Sequence, residues 1–257
     1  MKIIYDDAFD ISTDTDDNIG LPGRMKAAMD GFRNPGSQDS FEIVVPKAAS
    51  MEQLLLAHSE EYLAHVAANE KLLAVASLAA GGAILAGESA FKGIPSFACI
   101  RPPGHHASRD NAWGHCTFNN IAVALLVLRN QKRIRSAFLL DFDAHTGDGT
   151  RNILEEWKEA VVFNPFAESA EEYIAIIEQR LTCMDASDVF AVSAGFDLYI
   201  HDVGRKLGTL DFKRIGQLVG WAAKRRCGGR RFAVLEGGYY LPDLGMNVRS
   251  FCDGFSA

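Results

Sequence analysis

Paired cysteine is missing from this chain. There are five cysteines, an odd number, and no two stand as Cys-x-x-Cys, which excludes a disulfide-framed scaffold and a cysteine-based zinc knuckle. The opening Met-Lys-Ile-Ile-Tyr-Asp-Asp lacks the shape of a secretory signal, so the expectation is free thiols in a reducing cytoplasm. Long apolar runs are missing too: the clearest, Ile121 to Leu128, has eight residues, whereas a spanning helix needs about 20. No membrane role is expected. Positive charge is in deficit, with 26 Lys and Arg against 33 Asp and Glu and a net charge of −7. That speaks against a nucleic-acid-binding surface and favours a neutral or cationic ligand. Repeats, low-complexity stretches and linkers are absent, so one domain over residues 1–257 is expected.

What is present is an alternation of short apolar strands and helices. Lys2–Tyr5 and Phe41–Val45 read as strands, with a helix from Pro22 to Phe32 between them that Asn34-Pro35-Gly36 stops. Met51–Ala57 and Glu60–Ala68 read as helical, followed by an alanine-rich helix over 71–90 and a strand at Phe97–Ile100. Helices at Phe118–Arg129, Gly149–Trp157, Ala170–Thr182 and Asp211–Lys224 then alternate with strands at Ala137–Asp141, Ala160–Phe163, Val189–Ser193 and Phe232–Leu235. Continuous apolar strands such as Ala-Phe-Leu-Leu suit a parallel sheet covered on both faces, in a doubly wound α/β architecture. Such sheets bind ligands beyond the carboxyl ends of their strands.

The chemistry-bearing residues fall at those ends. In Asp141-Phe-Asp143-Ala-His145, side chains at every second position point to one side of an extended segment. By itself the stretch reads equally as a loop capping the next helix. Ser-Ala-Gly-Phe-Asp197 adds a second carboxylate to Asp143 and His145, and two carboxylates with an imidazole suit zinc with a position left open. Two prolines and Gly104 stiffen the approach to His105 and His106. Asp141 is the expected partner of His105, and Asp148 of His106, each fixing a ring tautomer. Tyr239, carried on Gly237-Gly238, is placed to donate its hydroxyl to a carbonyl. His58, His65 and His201 have no such partner and read as ordinary helix or loop residues.

The stretches Arg-Pro-Pro-Gly-His-His-Ala, Gly-His-Cys-Thr-Phe-Asn-Asn, Asp-Phe-Asp-Ala-His-Thr-Gly-Asp-Gly-Thr, Ser-Ala-Gly-Phe-Asp and Glu-Gly-Gly-Tyr, in this order, resemble the motifs of the histone deacetylase family. That family includes acetylpolyamine amidohydrolases and acetoin-utilisation proteins. The resemblance runs from about residue 50 to 241, with a fainter match near 20–32. It implies the three-layer arginase/deacetylase fold as a single catalytic domain. It also implies one catalytic Zn²⁺ on Asp143, His145 and Asp197, a structural K⁺ near Asp141, Asp143 and His145, and an N-acylated amine as substrate. By the same resemblance His106, paired with Asp148, is the general base and then the acid. His105, paired with Asp141, stabilises the transition state, and Tyr239 polarises the scissile carbonyl. Gly114, His115 and Gly238 contribute to the substrate site.

The chain departs from the family pattern at several places. His115 replaces an aromatic wall residue, Thr146 stands where relatives carry bulkier residues, and the segments 162–168 and 66–81 are short. These departures predict a shallower, more open site, whose rim a second copy of the chain would complete in a homo-oligomer. The acidic stretch from Asp6 to Asp17 offers attraction for a cationic amine. Two other readings stand beside the hydrolase: an arginase-like enzyme with two Mn²⁺ ions, and a catalytically silent module that binds acylated amines.

Overall fold

The computed structural model describes residues 1–10, 23–33 and 41–257. The acidic stretch beyond Asp10, the helix start at Pro22 and the Asn34-Pro35-Gly36 stop lie outside these residues. Among the described residues, seven strands form one sheet: β1 (Lys2–Ile4), β2 (Glu42–Val44), β3 (Ser96–Ala98), β4 (Ala137–Asp141), β5 (Ala160–Phe163), β6 (Val189–Ala194) and β7 (Arg231–Leu235). Their order is β2-β1-β3-β7-β6-β4-β5, and every pairing is parallel. Every residue of β3, β4, β6 and β7 is buried. A strand buried on both sides needs a layer on each face, which is why these segments carry no polar alternation.

The helices supply those layers. They are α1 (Arg24–Arg33), α2 (Met51–Leu54), α3 (Glu60–Ala67), α4 (Glu70–Ala90), α5 (Asn120–Asn130), α6 (Asp148–Leu154), α7 (Ala170–Thr182), α8 (Thr209–Arg226) and α9 (Leu241–Ser256). Side-chain oxygens of Ser50, Ser59, Asn69, Asn119 and Ser169 cap the starts of α2, α3, α4, α5 and α7, satisfying backbone donors that the first turn leaves free. The alanine-rich α4 is 21 residues long and apolar enough to cross a membrane by length and composition. It is a longer apolar segment than the eight-residue run singled out in the sequence. It packs against α5, β3 and β7 with 67% of its apolar window buried, as a helix apolar all round does inside a core.

Helix α9 is the element absent from the sequence-based expectation. Leu244, Val248, Phe251, Cys252 and Phe255 recur at helical spacing and are all buried, but Gly245, Asn247 and Gly254 interrupt the pattern. Those glycines are contact points: a Cβ on Gly254 would lie 2.1 Å from Lys213 O of α8, and one on Gly245 2.4 Å from Ala27 O of α1. Phe251 closes an aromatic cluster with Phe142, Phe196 and Phe212, at ring-centroid distances of 5.0–6.2 Å. Phe142 lies between Asp141 and Asp143, and Phe196 directly precedes Asp197. Each ring is an apolar anchor that ties the backbone beside a carboxylate to α8 and α9.

Candidate active site

The four central neighbours in the sheet, β3, β7, β6 and β4, each end in a loop that carries a reactive side chain. His105 and His106 come after β3, Asp141 closes β4, Asp197 comes after β6 and Tyr239 after β7. Register keeps the ends level, with Asp141 opposite Ser193 and Ser193 opposite Val234. The loops converge on a cavity of about 310 Å³ lined by His105, His106, His115, His145, Gly237 and Tyr239, with Trp113, Gly114 and Val203 at its sides.

Asp143, His145 and Asp197 bring one ligand atom each to within 4.8 Å of one another. His145 Nδ1 lies 3.0 Å from Asp143 Oδ1 and 3.1 Å from Asp197 Oδ2. The route differs from the extended alternation expected from sequence. Strand β4 ends at Asp141, and residues 142–147 form a loop tied by its own acids: Asp143 N donates to Asp141 Oδ1 (3.2 Å) and His145 N to Asp143 Oδ1 (3.0 Å). Short side-chain acceptors compete with regular backbone pairing in this way. Asp141 thus turns away from the triad to His105.

The three residues fit a divalent cation. Asp197 is fully buried, Oδ1 accepts from Ala144 N (2.9 Å), and Oδ2 faces no group but the other members of the donor set, with His145 Nδ1 at 3.1 Å. A buried carboxylate oxygen left so is costly unless a positive centre faces it. Burial and the neighbouring Asp143 push the Asp197 carboxyl up. Burial also works to raise Asp143, but His105 and the bonds from His145 outweigh it and hold Asp143 well below the carboxylate range. Hydrogen bonds to both acids push His145 up to about 10. A close donor set of two carboxylates and an imidazole, which concentrates this much negative charge, matches the ligands of a catalytic zinc. His145 is half exposed, so the set opens to solvent. On the far side of β4, Asn164 Nδ2 donates to Asp141 O (3.3 Å), and Arg151 Nε to Asn164 Oδ1 (3.0 Å). The Asp141 carbonyl, in the stretch where a structural K⁺ is expected, therefore accepts a hydrogen bond from a protein side chain.

Both histidine pairings form. His105 Nδ1 lies 3.1 Å from Asp141 Oδ2, and His106 Nδ1 2.6 Å from Asp148 Oδ1. Burial disfavours charge on His105, yet Asp143 and Asp141 outweigh it and raise its pKa well above the ordinary value. His106 moves the other way: burial and the adjacent His105 lower it, against the pull of Asp148. Two imidazoles with ring centroids 4.0 Å apart are thereby driven to opposite protonation states, the usual sign of divided acid–base roles. Burial raises the Tyr239 hydroxyl above its ordinary value, so it stays a donor.

Of the residues expected to meet substrate, Gly114 and His115 line the cavity. They are the central pair of a turn closed by Cys116 N donating to Trp113 O (3.1 Å), with φ of +60° and +65°. Positive φ at both positions defines a type I′ turn. A Cβ on Gly114 would also come 2.7 Å from His106 Cδ2. Gly238 faces elsewhere: its carbonyl accepts from Arg24 Nε (2.8 Å), and Gly237 takes its place in the lining. Within the shortened 162–168 segment, Phe166 is 77% exposed.

Four residues that support the site went unassigned in the sequence. Buried Arg24 reaches from α1 to the carbonyls of Gly238 and Glu236 and lies 5.6 Å from the Tyr239 ring centroid. Buried Asp202 accepts from the amides of Tyr239 (2.5 Å) and Tyr240 (2.7 Å) and fixes that loop. Fully buried Glu236 accepts from Gly104 N (2.7 Å) and His105 N (3.1 Å) through Oε2, and from Ser193 Oγ (3.0 Å) through Oε1. Trp113 stacks on His106. An arginine in an amphipathic helix and an aspartate in a polar turn carry no local signal of such roles. His58, read as ordinary, is a fully buried brace: Nδ1 bonds Ser108 O (2.9 Å) and Nε2 accepts from Asn119 N (3.0 Å).

Comparison with known proteins agrees with this geometry. A sequence model described as the histone deacetylase domain matches residues 20–173, more than half of the chain. A probable deacetylase of Methanothermobacter thermautotrophicus is 28% identical over 99% of this chain and 90% of its own length. One of Archaeoglobus fulgidus is 30% identical over 90% of this chain and 80% of its own length. Mouse polyamine deacetylase HDAC10 is 28% identical over 91% of this chain, which spans 44% of that relative. The crystal structure of the HDA15 HD domain superposes with a TM-score of 0.83 at 21% identity, covering 99% of this chain and 88% of that one, and shows the fold. With its seven-stranded parallel sheet, its histidine pair and its carboxylate–imidazole triad, this chain belongs to the histone deacetylase family.

Proposed function

We propose that this protein is a zinc-dependent amidohydrolase that removes an acyl group, acetyl in the simplest case, from an N-acylated amine. The observation that carries the reading is the convergence of a metal donor set, a proton-transfer pair and a hydroxyl donor on one 310 Å³ cavity. Asp143, His145 and Asp197 would hold the ion. Bound there, it supplies Lewis acidity, activating water and polarising a carbonyl.

The chain's own groups complete the reaction. Asp148 accepts the Nδ1 proton of His106, so Nε2 carries the lone pair. His106, kept neutral by burial and His105, takes a proton from water as its oxygen bonds to the amide carbon. Tyr239 donates its hydroxyl to the carbonyl oxygen as negative charge grows there, and protonated His105 stabilises the same charge. His106 then returns its proton to the nitrogen as the C–N bond breaks. Amide and water become a carboxylate and an ammonium. The acidic balance of the chain and the polyamine substrate in the name of the mammalian relatives support a cationic amine such as acetyl-lysine or an acetylpolyamine.

The test is acetate release from an acetyl-lysine peptide and from N-acetylputrescine by zinc-loaded protein. Turnover lowered at least about a hundredfold by each of Tyr239→Phe and His106→Ala supports the mechanism. Zinc binding with no turnover of either amide points instead to a silent binding module.

A further inference from the structure

Trp113 has no evident structural reason to stand where it does. It is 52% exposed, so it adds little to the core. Yet it touches both members of the proton-transfer pair. Its ring stacks on His106 with centroids 3.7 Å apart and planes inclined by 29°, and its Nε1 donates to Asp148 Oδ2 at 2.9 Å. Asp148 Oδ1 is bonded to His106 Nδ1 at 2.6 Å. The three side chains therefore form a closed ring of contacts: indole to imidazole by stacking, imidazole to carboxylate and carboxylate to indole by hydrogen bonds.

The backbone is shaped to keep the indole there. Gly114 and His115, both at positive φ, turn the chain directly after Trp113, and Cys116 N closes that turn on Trp113 O. Cys116 Sγ in turn accepts from His106 N (3.4 Å). The loop is thus tied to the backbone and the ring of the same histidine. The need for a third member is plain from exposure: the Asp148 side chain is 50% exposed, and a carboxylate held by one bond at a wet edge rotates and exchanges that bond with water. A donor on its second oxygen fixes the plane, and an aromatic face over the imidazole fixes the ring.

Resting on the hydrolase reading above, we propose that Trp113 is a positioning residue for the His106–Asp148 pair, aiming Nε2 at the reacting water and nitrogen without itself contacting the reacting atoms. Phenylalanine keeps the stack and loses the donor; alanine loses both. The contribution is geometric, so it belongs to turnover rather than substrate binding.

The test uses zinc-loaded wild type, Trp113→Phe, Trp113→Ala and each of these in a His106→Ala background. With the acetyl-lysine peptide, kcat is expected to fall about tenfold in the phenylalanine variant and about a hundredfold in the alanine variant, no more than the low end of the roughly 10²–10⁴-fold that general acid–base catalysis supplies, with KM held within about twofold. In the His106→Ala background, Trp113→Ala should change kcat by less than about twofold, because its partner is gone. A second readout is independent of turnover: the far-downfield ring N–H proton of the His106–Asp148 bond, assigned by its loss in Asp148→Asn. It should shift in the phenylalanine variant and broaden or vanish in the alanine variant. A rise in KM at constant kcat, or an effect that survives in the His106→Ala background, would make Trp113 a substrate-contacting wall and overturn the proposal. So would an unchanged downfield proton in Trp113→Ala. Wild-type protein that hydrolyses neither amide while the proton responds as described would overturn the hydrolase reading and leave the positioning role standing.

Discussion

Removing Glu236 should cost more stability than removing most core side chains of its size, and replacing it with glutamine should cost little. The carboxylate ties three strand ends together: Gly104 and His105 after β3, Ser193 in β6 and its own loop after β7. In Glu236→Ala two buried amides lose their acceptor and one buried hydroxyl loses its partner. At about 1–3 kcal/mol for each orphaned amide, with the hydroxyl free to reorient, the loss is about 2–6 kcal/mol. That is a large share of the roughly 5–15 kcal/mol that holds a domain folded. Glutamine keeps an oxygen for both amides and turns its NH₂ to Ser193 Oγ, so its cost should stay near 1 kcal/mol or less. The pH dependence separates the two further. Burial pushes the Glu236 carboxyl up from its ordinary 4.5 to about 7, against the pull of His105. Between these values the folded chain holds a proton that the unfolded chain has released, so this group's contribution to stability falls as pH rises from about 4.5 to 7 and is level above that. Glu236→Gln lacks the dependence, so it should gain on wild type as pH rises from 5 to 7. Urea unfolding of the three proteins at pH 5, 6 and 7 measures both effects. An alanine variant within about 1 kcal/mol of wild type, or a glutamine variant as unstable as alanine, would refute the bracing role.

The same geometry sets further outcomes. Tyr239→Phe should lower kcat by about 10²–10³-fold and His106→Ala by about 10²–10⁴-fold, with circular dichroism and zinc content unchanged; steady-state kinetics on the acetyl-lysine peptide checks both. Zinc must displace the proton that His145 holds up to about 10 between its two carboxylates, so apparent zinc affinity should rise close to tenfold per pH unit from 7 to 9, with about one proton released per ion. Chelator competition at several pH values reads this, and a flat profile would remove His145 from the ligand set. Gly195→Ala would place a Cβ 2.2 Å from Asp143 Oδ2. It should weaken zinc binding at least tenfold and cost about 1–3 kcal/mol by overpacking, measured by zinc titration and thermal unfolding.

The strands and most helices were legible because their cause is local. Continuous apolar runs such as Val189–Ser193 have no other use than a doubly covered sheet, and Ser50, Ser59 and Ser169 announce the helices they cap. Helix α9 was not legible, because Gly245 and Gly254 break its apolar stripe for the sake of contacts with α1 and α8 that only the fold reveals. The reactive residues were legible as a set, since the pairs His105–Asp141 and His106–Asp148 are chemically complementary wherever they stand. Their route to one another was not. The turn of Asp143 and His145 off the end of β4 depends on backbone amides seeking carboxylates two residues back. Arg24, Asp202 and Trp113 act from 35 to 214 positions away in the chain, and no spacing within a motif encodes such a distance.

The most direct test of the account is a metal titration with turnover measured at each step. Metal-free protein is loaded with increasing zinc, and hydrolysis of N-acetylputrescine and the acetyl-lysine peptide is recorded after every addition. The account predicts activity that rises linearly and saturates at one zinc per chain, and that Asp197→Asn neither binds the ion tightly nor turns over either amide. Activity in the metal-free protein, saturation only at two ions per chain, or full turnover by Asp197→Asn would contradict it.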